Sequence, residues 1–388
     1  MTKTILITVA GIVIFLIFSM WIYLLVFGTP TSTSDVFVDL GVTARTDTPR
    51  QITTGPVVEE QVVNTTGTGL RQITTRPVAG FGFVEHASST PHVYYAEAGT
   101  GHVYDIDLES GTETRILGKT FSSIAKAVFA PDGRHVVLIA EDGADTTAYL
   151  EEVSDDTTPE TFSLPADATH VSFASTSTLL YTRTSSMGMT GYALNLISHE
   201  TTQRFAVPFT DASVIWGDAT YVFNNPAPYL TGAIYRIENG TLVRVGEMGY
   251  SLTAIGGEAG APLVRTSADA KTGVVTSYFR PGSGETKMAI AAFPEKCTFD
   301  VSVRLWCGAP FETPGREFLS EWYMGRQLSQ DLLWRVDPTT GDATVMSDFL
   351  RDTGRIIDID AIAVDGASTN VLFRNKLDGA LWLYPITN

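Results

Sequence analysis

At 388 residues the chain is long enough for one large all-β domain or two ordinary ones. Its formal net charge is −17, from 26 Lys and Arg against 43 Asp and Glu. That anionic excess argues against nucleic acid and anionic lipid headgroups as electrostatic partners.

The first element is predicted over residues 4–27. Ile5 to Phe27 carry no charge and are almost wholly apolar, the length a helix needs to span a bilayer core. Lys3 is the flanking cation, and the first charges beyond the span are Asp35 and Asp39. The positive-inside rule then places the N-terminus in the cytoplasm and the remainder outside. The alternative is a cleaved secretory signal, which calls for a shorter apolar stretch and a small-residue cleavage site. Val26-Phe27-Gly28 does not supply one. Both readings put the domain outside the cytoplasmic membrane.

Residues 28–68 are rich in Thr, Ser, Pro and Gly without periodicity and read as a flexible stalk. Coil of this length spans roughly 35 Å on average and at most about 130 Å. Within it QITTGPV (51–57) nearly duplicates QITTRPV (72–78), as either a spare strand or a low-complexity echo.

From residue 69 a unit returns about every 45 residues. A strand with bulky residues meets a tight turn, and a second strand leaves it. HVYDIDLESGTETRI (102–116) shows it best, and six more copies follow, beginning at 148, 192, 234, 277, 333 and 381. Short β-branched and aromatic strands at this spacing are the mark of an all-β array. No stretch beyond the membrane span has helical periodicity. The last copy stops one strand short, while 70–75 stands before the first unit without one of its own. Pairing the two would close a ring and protect its open edges. The expected fold is therefore a seven-bladed β-propeller over 69–388, closed by pairing of 70–75 with the C-terminal blade.

FAPDGRHVVLIAEDG (129–143) resembles the repeat core of Tol-system and tryptophan-aspartate-like propellers, and DPTTGDATV and DLESGTETR resemble the turn of quinoprotein-type and surface-layer propellers. The tandem Trp-Asp ending and the repeated quinoprotein Trp are absent, so no cofactor residues carry over and no cofactor is expected. One span, a Thr-rich stalk and a propeller together look like bacterial envelope propeller proteins.

Cys297 and Cys307 flank a hairpin turning near Ser302, which sets them opposite each other at a separation that suits a disulfide.

Chemical motifs are sparse. Ser123-Ile-Ala-Lys126 and Lys271-Thr-Gly273 match fragments of a penicillin-binding site, but the first alternates as a strand and the second lies in a turn. No close histidine pair and no nucleophile elbow occur. Asp105, Asp107 and Glu109 read as a solvated face. Asp358 and Asp360 form a weak metal pair, and no metal ligand set is assigned. Glu97, Asp142, Asp145, Asp269 and Asp378 fall in candidate loops without fixed spacing.

One feature breaks the repeat. The interval before the sixth hairpin is 56 residues, against 42–46 for the four before it, and the excess is 309–329. It carries Phe311, Phe318, Trp322, Tyr323, Met324, Arg316 and Arg326. Aromatics with arginine anchor interfaces, and large aromatics also fold back over a blade. Tyr229 and Met187 sit in two other long loops on the same expected face. The residues assigned to partner binding are Trp322, Tyr323, Arg326, Phe318, Tyr229 and Met187. The function expected is a membrane-anchored extracytoplasmic binding or scaffold module for an envelope protein or glycan. The alternatives are a propeller-based hydrolase or lyase on envelope polymers, and a self-assembling envelope protein.

Overall fold

The computed structural model describes residues 69–386 except 85–90, 144, 154–160, 218, 228, 257–262, 270, 272 and 281–283. The expected membrane helix and stalk lie outside these residues. Among the described residues no helix is long and apolar enough to cross a membrane.

The short strands alternate through antiparallel hairpins into six sheets. β1 is Arg71–Gln72. The first four-stranded sheet is β2 (Val78–Val84), β3 (His92–Glu97), β4 (Val103–Asp107) and β5 (Glu113–Leu117), and the second is β6 (Ile124–Phe129), β7 (His135–Asp142), β8 (Asp145–Glu152) and β9 (Phe162–Ser163). The third is β10 (Ala168–Ser175), β11 (Thr178–Ser185), β12 (Gly188–Asn195) and β13 (Thr201–Val207). A seven-stranded sheet follows: β14 (Ala212–Ile215), β15 (Tyr221–Asn224), β16 (Thr231–Glu238), β17 (Thr241–Gly256), β18 (Leu263–Asp269), β19 (Gly273–Arg280) and β20 (Gly284–Lys287). Next come β21 (Cys297–Phe299), β22 (Leu305–Pro310), β23 (Asp331–Val336) and β24 (Ala343–Ser347). In the last sheet β25 (Ile359–Val364), β26 (Asn370–Asn375) and β27 (Leu381–Pro385) are joined by β1.

Apolar positions on each sheet pack on the next. Ala96 and Leu117 meet Ile124 and Leu138, Leu150 meets Leu179, and Phe205 meets Val222. Within the large sheet Phe223 and Ile234 meet Ala254 and Leu263. Val264 and Tyr278 meet Leu305, and Trp306 meets Phe373. Leu372 and Leu383 return to Val93 and Tyr95. Among the described residues no sheet closes on itself; successive sheets are joined by face-to-face packing.

The repeated turn has one cause. Asp107, Asn195 and Asp337 each accept the backbone N–H two residues on, from Glu109, Ile197 and Thr339, at 2.7–2.9 Å. Four residues on, Gly111 (φ 72°), His199 (φ 57°) and Gly341 (φ 81°) take the left-handed conformation that lets the chain return.

Three findings depart from the sequence reading. The fourth and fifth units share β17, which pairs with β16 over its first part and β18 over its second, bending where Gly246 (φ 70°) and Ser251 (φ 48°) leave extended geometry. Among the described residues two short α-helices form, α1 (Phe318–Tyr323) and α2 (Phe349–Thr353), each too short for a periodic signal. The isolated strand at 70–75 is two residues long, with Arg71 opposite Leu383 and Gln72 opposite Trp382. Cys297 lies opposite Cys307 in a hairpin, and the two form a disulfide.

Candidate functional site

The loop between β22 and β23 carries α1 and covers a cluster of buried charges. Lys296, in a 3-10 turn at Pro294–Lys296, is 1% exposed. Its Nζ donates to Asp331 Oδ2 at 2.8 Å and to Asp358 Oδ1 at 2.6 Å. Both carboxylates are fully buried. The ammonium also faces two rings, Trp322 at 4.7 Å and Phe293 at 5.4 Å. Asp358 accepts further from Trp322 Nε1 (2.8 Å) and the Ser329 N–H (3.1 Å), and Asp331 from the Ile359 N–H (2.8 Å) and the Ser329 hydroxyl. Lys376 Nζ lies 3.7 Å from the centre of the Trp322 ring and donates to the Trp322 carbonyl at 2.6 Å. Burial pushes the Asp331 carboxyl up, against the pull of Lys296, and burial lowers Lys376.

Beside this cluster Glu295 is half-buried, with its Oε2 enclosed. Its Oε1 accepts from the Tyr323 hydroxyl and from Thr253 Oγ1 at 3.3 Å, while Oε2 has no hydrogen-bond partner. Burial raises its pKa above the usual 4.5, outweighing the hydrogen bonds that lower it. Below about pH 4.5 the side chain is neutral in the folded and the unfolded chain alike. Above the raised folded value its ionisation costs stability. Glu295→Gln is therefore expected to raise the urea midpoint at pH 8, with the gain vanishing towards pH 4. A gain that does not change with pH would show that Glu295 is not held against ionisation.

The loop reaches outward as well. The Pro314 carbonyl accepts from the Val274 N–H at 3.0 Å. Gly273 (φ 77°) is required there, since a Cβ would lie 2.3 Å from the Pro314 oxygen. Arg316 lies over the rings of Tyr229 and Tyr250, at 5.1 and 4.6 Å, and the Tyr229 hydroxyl donates to Glu317 Oε1 at 2.6 Å. Connections from three sheets, carrying Tyr229, α1 and Lys376, therefore meet on one face. Near Tyr229 a cavity of about 410 Å³ is lined by Asp211, Asn225, Ala227, Leu230 and Leu252 among others.

The six residues assigned to partner binding separate. Trp322 is 4% exposed, and its indole N–H and ring are used by Asp358 and the two lysines. Phe318 is half-buried on Phe293 at 5.6 Å. Tyr323 leaves its ring at the surface while its hydroxyl turns inward. Arg326 is exposed and paired with Glu321. Tyr229 is 63% exposed and joins the loop, and Met187 is 86% exposed in the loop between β11 and β12. Asp358 and Asp360 serve Lys296 and Arg374 rather than forming a pair for a metal. Lys296, Asp331, Glu295 and Lys376 were not found from sequence. The available signal was a lysine inside the apolar run AAFPEKC.

No protein-family model matches the chain, and no curated protein matches it. Solved structures do. An oligogalacturonate lyase in complex with manganese aligns with TM-score 0.58 at 12% identity, over 84% of this chain and 96% of that one. The WD40 repeats of RRP9 align with TM-score 0.53 at 10% identity, over 84% and 100%. The β-propeller domain of the trilobed protease from Pyrococcus furiosus aligns with TM-score 0.50 at 11% identity, over 80% and 97%. The fold is a β-propeller.

At such identities the likeness extends to the fold alone. The propeller's own side chains must carry any argument about chemistry. Among the described residues no group of three or more His, Cys, Asp or Glu is placed to hold a metal ion. The described residues therefore do not fit the manganese named with the lyase.

Proposed function

We propose that this chain is a binding module that presents the loop-bearing face of its propeller to a protein partner, held outside the cytoplasmic membrane by the apolar segment 4–27. The observation that carries the reading is the division of labour in the 311–330 loop. Its inner residues are spent on Lys296, Asp358 and Glu295, so the loop is fixed. Its outer residues, and those of the loop it grips, stay available: Phe311 is 79% exposed, Leu230 71% and Tyr229 63%. A rigid base under exposed aromatic and aliphatic side chains is the economy of an interface, because little side-chain and loop ordering remains to oppose binding. The bilayer anchor would add effective concentration against other membrane components.

The test is cross-linked co-purification from intact cells with the full chain, against Tyr229→Ala/Leu230→Ala and Phe311→Ala/Met324→Ala. Loss of two such anchors is expected to lower recovery of a specific partner about tenfold or more. A partner retained equally by both variants would place the contacts elsewhere and overturn the reading.

A further inference from the structure

The cavity beside Tyr229 is walled by two connections and one strand. The turn between β13 and β14 supplies Phe209 and Asp211, the connection between β15 and β16 supplies Asn225 and Leu230, and β17 supplies Leu252. At about 410 Å³ it falls in the range of pockets that hold small groups. Its apolar surface comes from Phe209, Leu230 and Leu252. The Phe209 ring is itself set against Tyr235, with centres 5.6 Å apart.

Its polar surface carries one charge, and that charge is held in place. Ser213 Oγ donates to Asn225 Oδ1 at 2.6 Å, and Asn225 Nδ2 donates to Asp211 Oδ1. A carboxylate accepts only, so this amide orientation alone satisfies both neighbours. The relay fixes Asp211 through one of its oxygens. Among the described residues nothing donates to the other oxygen, and no Lys, Arg or His lies within ion-pair distance of Asp211. Acidic groups elsewhere on this face are engaged: Asp331 and Asp358 hold Lys296, Glu321 holds Arg326, and Glu317 accepts from Tyr229.

We propose that this cavity receives a basic side chain, Lys or Arg, of the protein partner. The inference rests on the binding-module reading and names the chemistry of what that face takes. The aliphatic stem would lie along Phe209, Leu230 and Leu252, and the charged head would donate to Asp211 Oδ2. Because Asn225 already orients the carboxylate, little ordering remains to oppose the contact. The net charge of −17 draws a cationic partner towards the chain at long range, and Asp211 gives that attraction an address. A neutral guest such as a sugar ring would leave the carboxylate without a counter-charge.

The experiment titrates the full chain with Nα-acetyl-arginine amide, Nα-acetyl-lysine amide and the citrulline analogue, which keeps the arginine shape without its charge. The readout is the methyl resonances of Leu230 and Leu252. At least one cationic amide is expected to shift both, saturating in the millimolar range, with citrulline weaker by about tenfold or more. Asp211→Asn should lose the same factor while the other methyl resonances stay in place, which shows the fold intact. Equal binding of citrulline and arginine, undiminished binding by Asp211→Asn, or no shift with any of the three overturns the proposal. The titration needs no partner, so it can fail or succeed apart from the module reading. A partner lost with Tyr229→Ala/Leu230→Ala but recovered undiminished by Asp211→Asn would likewise leave that reading standing and overturn this one.

Discussion

Replacing Lys296 with Met is expected to lower folding stability by about 3–5 kcal/mol, because it leaves two carboxylates in the interior without their cation. Asp331 and Asp358 are both fully buried, and Lys296 is the donor they share. With the ammonium gone, each must remain ionised at high desolvation cost or take up a proton. The loss therefore shrinks as pH falls and the carboxyls protonate, a sign opposite to that of ordinary acid denaturation. Adding Asp331→Asn and Asp358→Asn to Lys296→Met should recover a large part of the loss, since removing every charge of a buried cluster is far less costly than removing one. At about 2 °C per kcal/mol for a chain of this size, the single variant should melt roughly 6–10 °C lower. A fall below about 2 °C would mean that water reaches the carboxylates and the cluster is not the closed unit its geometry describes. Lys296 is also where the unit preceding β21, the start of β23 and the approach to β25 are tied together, so the variant should loosen three connections at once.

The parts of this architecture that were legible in the sequence are those made by neighbours in the chain. The hairpin turns could be read because Asp107, Asn195 and Asp337 each cap a turn within five residues, and the same chemistry recurs wherever that spacing does. The disulfide could be read for a similar reason, as Cys297 and Cys307 are held opposite by the hairpin between them. What escaped depends on residues distant in sequence. Lys296 meets Asp331 and Asp358 across 35 and 62 positions, and no local pattern distinguishes these three from exposed charges. The sharing of β17 escaped because Gly246 looks like the end of a strand, whereas the chain passes through it and continues pairing. The inward role of Trp322 escaped for the opposite reason. An aromatic in a long loop beside arginines has the composition of an interface, and only the buried carboxylate beneath it shows that its indole is used inward.

Trp322→Ala should be the second most damaging change on this face, at about 3–5 kcal/mol. The side chain is almost fully buried and packs on Phe293 at 5.1 Å. Its loss opens a cavity, takes one hydrogen bond from Asp358, and strips the aromatic cover from Lys296 and Lys376 together. Trp322→Phe separates these effects. It keeps most of the ring and loses the indole N–H, so it should cost only about 1.5–3 kcal/mol, the range for a hydrogen bond to a charged group. The two variants should also differ in amide exchange over Phe318–Tyr323. The alanine variant releases the helix, because the base it rests on is gone, and the phenylalanine variant holds it. If both variants melt alike, the hydrogen bond to Asp358 rather than the packed ring fixes the loop. The distinction bears on how an interface on this face is to be mapped. A partner lost with Trp322→Ala would report only that the loop had come free. The proposed contacts are tested instead at Tyr229, Leu230, Phe311 and Met324, whose exposed side chains can be shortened while the charges beneath stay covered.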